Sequence, residues 1–241
     1  MITVDFSRLR LAAGARILDV GCGTGRHACA AYALEAAWVV GTDLSHRELL
    51  EARGRLRYHD ALGAHGGGDW SLCRADIHNL PFGDDCFDLV ICSEVLEHVN
   101  DDRRAVAELV RVLKPGAPLV VSVPRCFPER ICWALSSQYG ACEGGHIRIY
   151  RKRKLVGLVA AAGTRPTHSH HAHSLHVPYW WLKCIVGPHR NDLPAVAAYH
   201  RLLTFMIMKK PSWLIWLERL LNPVLGKSLV LYFTKPGEPR A

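Results

Sequence analysis

The stretch Asp19-Val20-Gly21-Cys22-Gly23-Thr24-Gly25-Arg26-His27 follows the run Arg16-Ile17-Leu18 and sets three glycines at alternate positions directly after an acid. A strand that ends in a glycine-rich turn and opens a helix brings a ligand to the carboxyl edge of an open α/β sheet. The dinucleotide fingerprint needs G-x-G-x-x-G and the phosphate loop needs G-x-x-x-x-G-K-[ST]. Here the spacing is G-x-G-x-G, so neither phosphate cradle fits.

Working outward, apolar strand-like runs alternate with helical patterns, which signals a mostly parallel sheet covered by helices. Strands are predicted at 16–21, 37–44, 70–76, 87–93 and 118–124, with helices at 25–35, 45–58 and 101–113, the last stopped by Lys114-Pro115-Gly116. Beyond Pro124 the pattern loosens. A helix is predicted over 151–163, a strand over 167–175 and a last strand over 228–236. Between those two strands lies an apolar, Trp-rich insertion, 178–227, read as two or three helices broken by prolines. The His65-Gly66-Gly67-Gly68 run reads as a plain loop. The expected architecture is one doubly wound Rossmann-like α/β sheet of about seven strands, the last antiparallel, in a single domain over 1–241. Its cofactor-binding core is expected at 14–125, and its helical insertion precedes the last strand.

The chain of 241 residues is long enough to bury a substantial core, and its nine cysteines contain no C-x-x-C pair. Neither a zinc ribbon nor a disulfide framework is indicated, no secretory signal is seen ahead of Asp5, and a cytoplasmic setting is expected. Net charge is +8, part of it concentrated in His146–Leu155. That run reads as a solvated helix start or as a patch for an anionic surface. The longest apolar runs fall short of the ~18–20 residues that a membrane span needs.

The acids suggest what replaces a phosphate. Asp43 ends the second predicted strand, where a carboxylate takes both hydroxyls of a ribose. Asp76 ends the third, where it can accept from an exocyclic amine such as that of adenine. Asp19 lies under the glycine turn, where a negative charge suits an ammonium or sulfonium. Three acids on one sheet edge argue for a cationic, adenosine-containing ligand.

At these residues the sequence resembles the class I S-adenosylmethionine-dependent methyltransferases, in the broad group with the ubiquinone, menaquinone and small-molecule enzymes. ILDVGCGTG, VVGTDLS, ADIHNLPFGDDCFDLVICSEVLEHV and ELVRVLKPGAPLVVSVP resemble that group's motifs, in order, across residues 14–165. The resemblance implies S-adenosylmethionine as cofactor and S-adenosylhomocysteine as product. It implies that Asp19, Gly21 and Gly23 surround the methionine moiety, that Asp43 holds the ribose with Leu44 alongside, and that Asp76 and Ile77 flank the adenine. Ser93 is then beside the reacting end. Cys22 reads as a small packing residue.

A hydroxyl acceptor needs a base, and histidine supplies one near neutral pH. His146, after a Gly-Gly pair, is the first candidate. His98 in SEVLEHV is the second, with a pocket-lining role as its alternative. Tyr150 could line the acceptor pocket. In THSHHAHSLH, strand alternation puts His168 and His170 on one face and His171 and His173 on the other, so a single metal cannot gather all five histidines, and no metal is expected.

Only Met1–Ala15 precede the first strand, so the insertion is the candidate lid. Trp213, Trp216, Leu217 and Leu220 form one helical stripe, open to two readings: core packing, or cover for a lipophilic acceptor at a membrane surface helped by Lys209, Lys210 and 151–154. The acceptor expected is a small or lipid-linked molecule, methylated on oxygen or less readily on carbon. SEVL stands where amino-methylating nucleic-acid enzymes carry N-P-P-Y, which disfavours nucleic acid as partner. A macromolecule methyltransferase and a non-catalytic cofactor binder remain the alternatives, and oligomeric state is not legible.

Overall fold

β1, Arg16–Val20, lies inside the sheet between β2, Trp38–Asp43, and β4, Leu89–Ser93, pairing parallel with both. Its side chains alternate between the faces, and both faces are covered, so Ile17, Leu18 and Val20 are all buried. In the computed structural model, which describes residues 2–136, 145–187 and 190–237, the sheet runs β3-β2-β1-β4-β5-β7-β6. The remaining strands are β3 (Asp69–Arg74), β5 (Pro118–Pro124), β6 (Arg165–Ala172) and β7 (Ser228–Thr234). β7 is antiparallel to both β5 and β6, as expected for the last strand.

Eight α-helices surround the sheet among the described residues: α1 (Arg26–Tyr32), α2 (His46–Ala61), α3 (Asp102–Val112), α4 (Cys126–Leu135), α5 (Lys152–Ala161), α6 (His176–Val186), α7 (Pro194–Lys209) and α8 (Ser212–Leu225). One face carries a core built from Leu18, Val90, Leu109, Val121 and Leu155. The opposite core holds Ile17, Ala28, Val39, Ile91 and Val120. Local chemistry sets the helix starts: Ser45 Oγ accepts from Glu48 N at 3.3 Å and Asp101 Oδ1 accepts from Arg104 N at 3.0 Å.

Two expectations need correction, one open reading is decided and one element is new. α4 lies where the pattern loosens after Pro124 and no element was expected; its Pro128 sits in the first turn, where a proline's missing N–H costs nothing. β6 ends at Ala172, since His173 turns to φ 65°, so His171 and His173 do not share a strand face. The glycine loop before β3 is no plain connector. Gly66 accepts from Ala36 N at 2.7 Å and donates to Tyr32 O at 2.9 Å, and a Cβ on Gly66 would lie 1.8 Å from Leu34 O. Finally, the Trp stripe of α8 faces outward, with Trp213 61%, Trp216 65% and Leu220 58% exposed, while Leu214 supplies the buried contact.

The insertion comprises α6, α7 and α8. It leaves the carboxyl end of β6, the edge at which β1, β2 and β4 also end, and returns into β7. α6 packs on α4, α7 on α6, and α8 on β6. Pro188, one of the predicted breaks, and Cys142 lie outside the described residues.

Two glycine substitutions separate backbone packing from helix propensity. Gly66→Ala is expected to destabilise the fold by ~1–3 kcal/mol through overpacking. Gly54→Ala, in mid-α2 with nothing within 4 Å of the added Cβ, is expected to stabilise by ~0.5–1 kcal/mol. Urea unfolding of both variants checks the pair.

Candidate active site

The turn after β1 is left-handed at each glycine: Gly21 has φ 66°, Gly23 φ 50° and Gly25 φ 79°. A Cβ on Gly21 would stand 2.4 Å from Val95 Cγ2, so this turn needs glycine twice over, for its backbone and for its space. Gly23 N donates to Asp43 Oδ2 at 2.9 Å and Ser45 N donates to Oδ1 at 2.8 Å. Asp43 is thereby fixed at the end of β2, against the turn.

A cleft of about 540 Å³ opens along this edge, lined by Gly21, Gly23, Asp43, Leu44, Asp76, Ile77, Ser93 and His98 among others. Seven of the eight residues proposed for the cofactor thus stand on one cleft. Asp19, the eighth, is 1% exposed beneath the turn, and its Oδ2 has no hydrogen-bond partner among the described residues. Burial pushes its carboxyl up to about 7, against a backbone hydrogen bond from Ala28 that lowers it. An orphaned buried carboxylate oxygen below the glycine turn suits a cationic ligand. Cys22 is buried and its thiol is pushed up by burial, which leaves it unreactive.

Asp76 is exposed, and its Oδ1 accepts from His78 N at 2.9 Å while lying 2.7 Å from His78 Nδ1. Those hydrogen bonds hold its carboxyl below the usual range. Leu44 is 58% exposed, an apolar surface directly after Asp43. Ser93 Oγ lies 2.7 Å from Ser122 Oγ and 2.9 Å from Thr3 Oγ1.

Thr3 belongs to a segment that sequence reasoning passed over. Its N–H donates to His27 Nε2 at 3.0 Å, its carbonyl lies 3.1 Å from His170 Nε2, and Asp5 N donates to Tyr232 OH at 2.9 Å. The N-terminal segment is therefore tied to two cleft residues, His27 and Ser93. Among the described residues, none that line this cleft comes from 178–227. The insertion leaves β6 at the same sheet edge.

The two candidate bases meet. His98 and His146 have ring centroids 4.9 Å apart at 61°, and His146 Nδ1 lies 2.5 Å from Glu129 Oε1 on α4. A carboxylate and a carbonyl only accept, so Glu129 holds the proton of His146 on Nδ1. Gly145 O, at 3.1 Å, does the same for His98. Both lone pairs then sit on Nε2. Glu97 is buried beside them; burial first, then Glu94, holds its carboxyl well above the usual range. Ligand atoms of Glu97, His98 and His146 all lie within 4.8 Å of one another, a donor set that could take a divalent cation as well as a proton.

His98 lines the cleft, and His146 stands behind it. Tyr150 is buried and donates to Asp102 Oδ2 at 2.6 Å, so its hydroxyl is committed. It borders a second cleft of about 670 Å³ with Arg125, Arg130, Lys152 and His171, which contains none of the sheet-edge acids. Arg148 is drawn inward to Asp102 and to Asn100 O, so the basic run does not form one continuous face. Sequence reasoning missed Glu129, Glu97, His27 and His78. Glu97 stood inside the quoted SEVLEHV, whereas Glu129 gave no signal, since it lies on the unannounced α4.

Residues 18–121 match the family model described as a methyltransferase domain. The O-methyltransferase cnsE of Penicillium expansum is 38% identical over 115 residues, 48% of this chain and 40% of that protein. The demethylmenaquinone methyltransferase of Clavibacter sepedonicus is 41% identical over 109 residues, 45% of this chain and 41% of that protein. The chain thus matches about two-fifths of the length of these curated relatives. Among solved structures, the [4+2]-cyclase SpnF superposes with a TM-score of 0.63 at 21% identity, over 96% of this chain and 78% of that one. At that identity the likeness is one of fold.

Asp19 gives a pH test. Its carboxyl, near 7 folded and ~3.9 unfolded, keeps its proton in the folded state across that window while the unfolded chain loses it. The folded state therefore loses stability as pH rises from 4 to 7. His27, lowered to about 3 mainly by burial, acts in the opposite sense, favouring the fold as pH rises from 3 through the ordinary histidine range. Comparison with Asp19→Asn isolates the acid: the variant is expected to gain up to roughly 4 kcal/mol on the native chain between pH 4 and 7. Denaturant titrations across pH measure it.

Proposed function

We propose, from the premise that residues 18–121 belong to the class I S-adenosylmethionine-dependent methyltransferases, that this chain transfers a methyl group to an oxygen of a small or lipid-linked acceptor. The observation that carries the reading is the Glu129–His146–His98 cluster beside a cleft lined by the glycine turn and two sheet-edge acids. When bound, the cofactor supplies an electrophilic methyl on a sulfonium. Gly21, Gly23 and Asp19 would hold its methionine end, Asp43 the ribose hydroxyls, and Asp76 with Ile77 the adenine.

The rest of the task belongs to side chains. Glu129 fixes the tautomer of His146 and stabilises its imidazolium, so a proton removed from an acceptor hydroxyl rests on Nε2. His98, at the cleft, carries the contact to the acceptor side. Alignment of the acceptor oxygen for in-line attack supplies the larger share of the rate. Carbon acceptors need the same positioning with weaker demand on the base.

The lipid-linked form of the acceptor is supported by the outward stripe of α8. Trp213, Trp216 and Leu220 are exposed, with Phe205 and Met208 of α7 also exposed and Lys209 and Lys210 at the C-terminal end of α7. Aromatic side chains flanked by lysines suit an anionic bilayer surface. No helix of the described residues is long and apolar enough to cross a membrane, so this contact is peripheral.

Calorimetric titration of S-adenosylmethionine is expected to give one site, lost in Asp43→Ala; absence of binding by the native chain sinks the proposal. With an acceptor phenol, His146→Ala is expected to lower kcat by ~10²–10⁴-fold and to flatten its pH profile, with cofactor affinity unchanged. Normal turnover across pH assigns the proton elsewhere. Vesicles of phosphatidylcholine with a quarter phosphatidylglycerol are expected to sediment the native chain, and the Trp213→Ser, Trp216→Ser double variant is expected to stay in the supernatant.

A further inference from the structure

The histidine-rich strand leaves an unused group at its end. His173, in the left-handed turn after β6, and His176, the first residue of α6, both face Glu218 in mid-α8. His173 Nδ1 and His176 Nδ1 each lie 3.9 Å from Glu218 Oε1, too long for a hydrogen bond. One ligand atom from each of the three residues lies within 4.8 Å of the other two. His173 Nε2, His176 Nδ1 and Glu218 Oε1 are buried and have no hydrogen-bond partner among the described residues. His173 approaches Glu218 through Nδ1 while its orphaned atom is the other ring nitrogen, and packing alone leaves all three residues with an unsatisfied buried atom.

We propose that His173, His176 and Glu218 bind one divalent ion of the Zn²⁺ class, an ion that locks the helical insertion onto the end of β6. Two imidazoles and a carboxylate are a three-ligand zinc set, with the fourth position left to water. A tetrahedral ion with bonds of ~2.0–2.1 Å sets its ligand atoms roughly 3.3 Å apart. The two histidine Nδ1 atoms stand 3.9 Å from Glu218 Oε1 and the histidines offer ligand atoms within 4.8 Å of each other, so side-chain closure of up to roughly 1.5 Å completes the set.

The backbone around the group is already assembled. Ser174 N donates to Asn222 Oδ1 at 3.0 Å, and Ser174 Oγ donates to Glu218 O at 3.0 Å, so the turn is bolted to α8 independently of any ion. Just beyond, a Cβ on Gly226 would lie 2.5 Å from His171 Cβ, which shows how closely the exit of α8 meets β6. Lys227 opposes a cation nearby, and its ammonium lies 5.5 Å from the centroid of the Trp180 ring.

The test uses the full chain, stripped with a chelator, and Zn²⁺ alone as the probe. Elemental analysis and competitive calorimetry are expected to show an ion retained by His98→Ala, which separates this site from the Glu97, His98 and His146 group. His176→Ala and the isosteric Glu218→Gln are each expected to weaken that binding at least ~10-fold. Saturation is expected to raise Tm by several degrees in the native chain and not in Glu218→Gln. Co²⁺ bound to the native chain should show the intense visible bands of a four-coordinate site, a readout that needs no variant to fold. The proposal is overturned if the native chain takes up no Zn²⁺ saturably, if uptake is unchanged in both variants, or if His98→Ala alone abolishes it.

Discussion

The left-handed turn from Gly21 to Gly25 is the constraint on which the site depends. Its backbone amide at Gly23 holds the Asp43 carboxylate, and the space that Gly21 leaves is filled by Val95 from the loop after β4. One backbone conformation thereby joins the ends of three strands and sets how far apart their acids stand. A side chain on Gly21 would push the β4 loop outward and, with it, the segment that carries Glu97 and His98. Cofactor cleft and candidate base are mechanically one object.

Buried acids are the second organising theme. Asp19 and Glu97 sit under or beside the cleft with oxygens that no described donor satisfies, while Glu129 is engaged by His146 and Trp133. Unsatisfied buried carboxylates are costly. They persist at positions where a cation or a proton can offset their charge. The insertion carries the same device in Glu218, facing two histidines at the sheet end.

Much of the core was legible because its determinants are local. β1, β2, β4 and β5 read as largely apolar runs, and Asp43 at the end of β2 could be placed from pattern alone, whereas Asp76 lies two residues beyond β3, which ends at Arg74, and Ser93 was reached through the resemblance. α4 was hidden by the loosened pattern after Pro124, the HGGG close approach by its plain composition, and the outward turn of Trp213 and Trp216 by a periodicity that is the same for a buried and an exposed stripe. His146 was reachable through its glycine-flanked position. Its partner Glu129 was not, since the pair is made only when α4 swings a carboxylate against a loop.

What the sequence by itself determined is the sheet, its glycine turn and the acids along its edge, because strand alternation, turn chemistry and strand ends act over a few neighbouring residues. Tertiary structure alone decided the rest. It brought Thr3 against His27 and Ser93, set Glu129 behind His146, turned the Trp stripe of α8 to the surface and gathered His173, His176 and Glu218 into one group. Each of these joins residues from separate elements, and no local periodicity records which distant side chain will fill the space left when two elements pack.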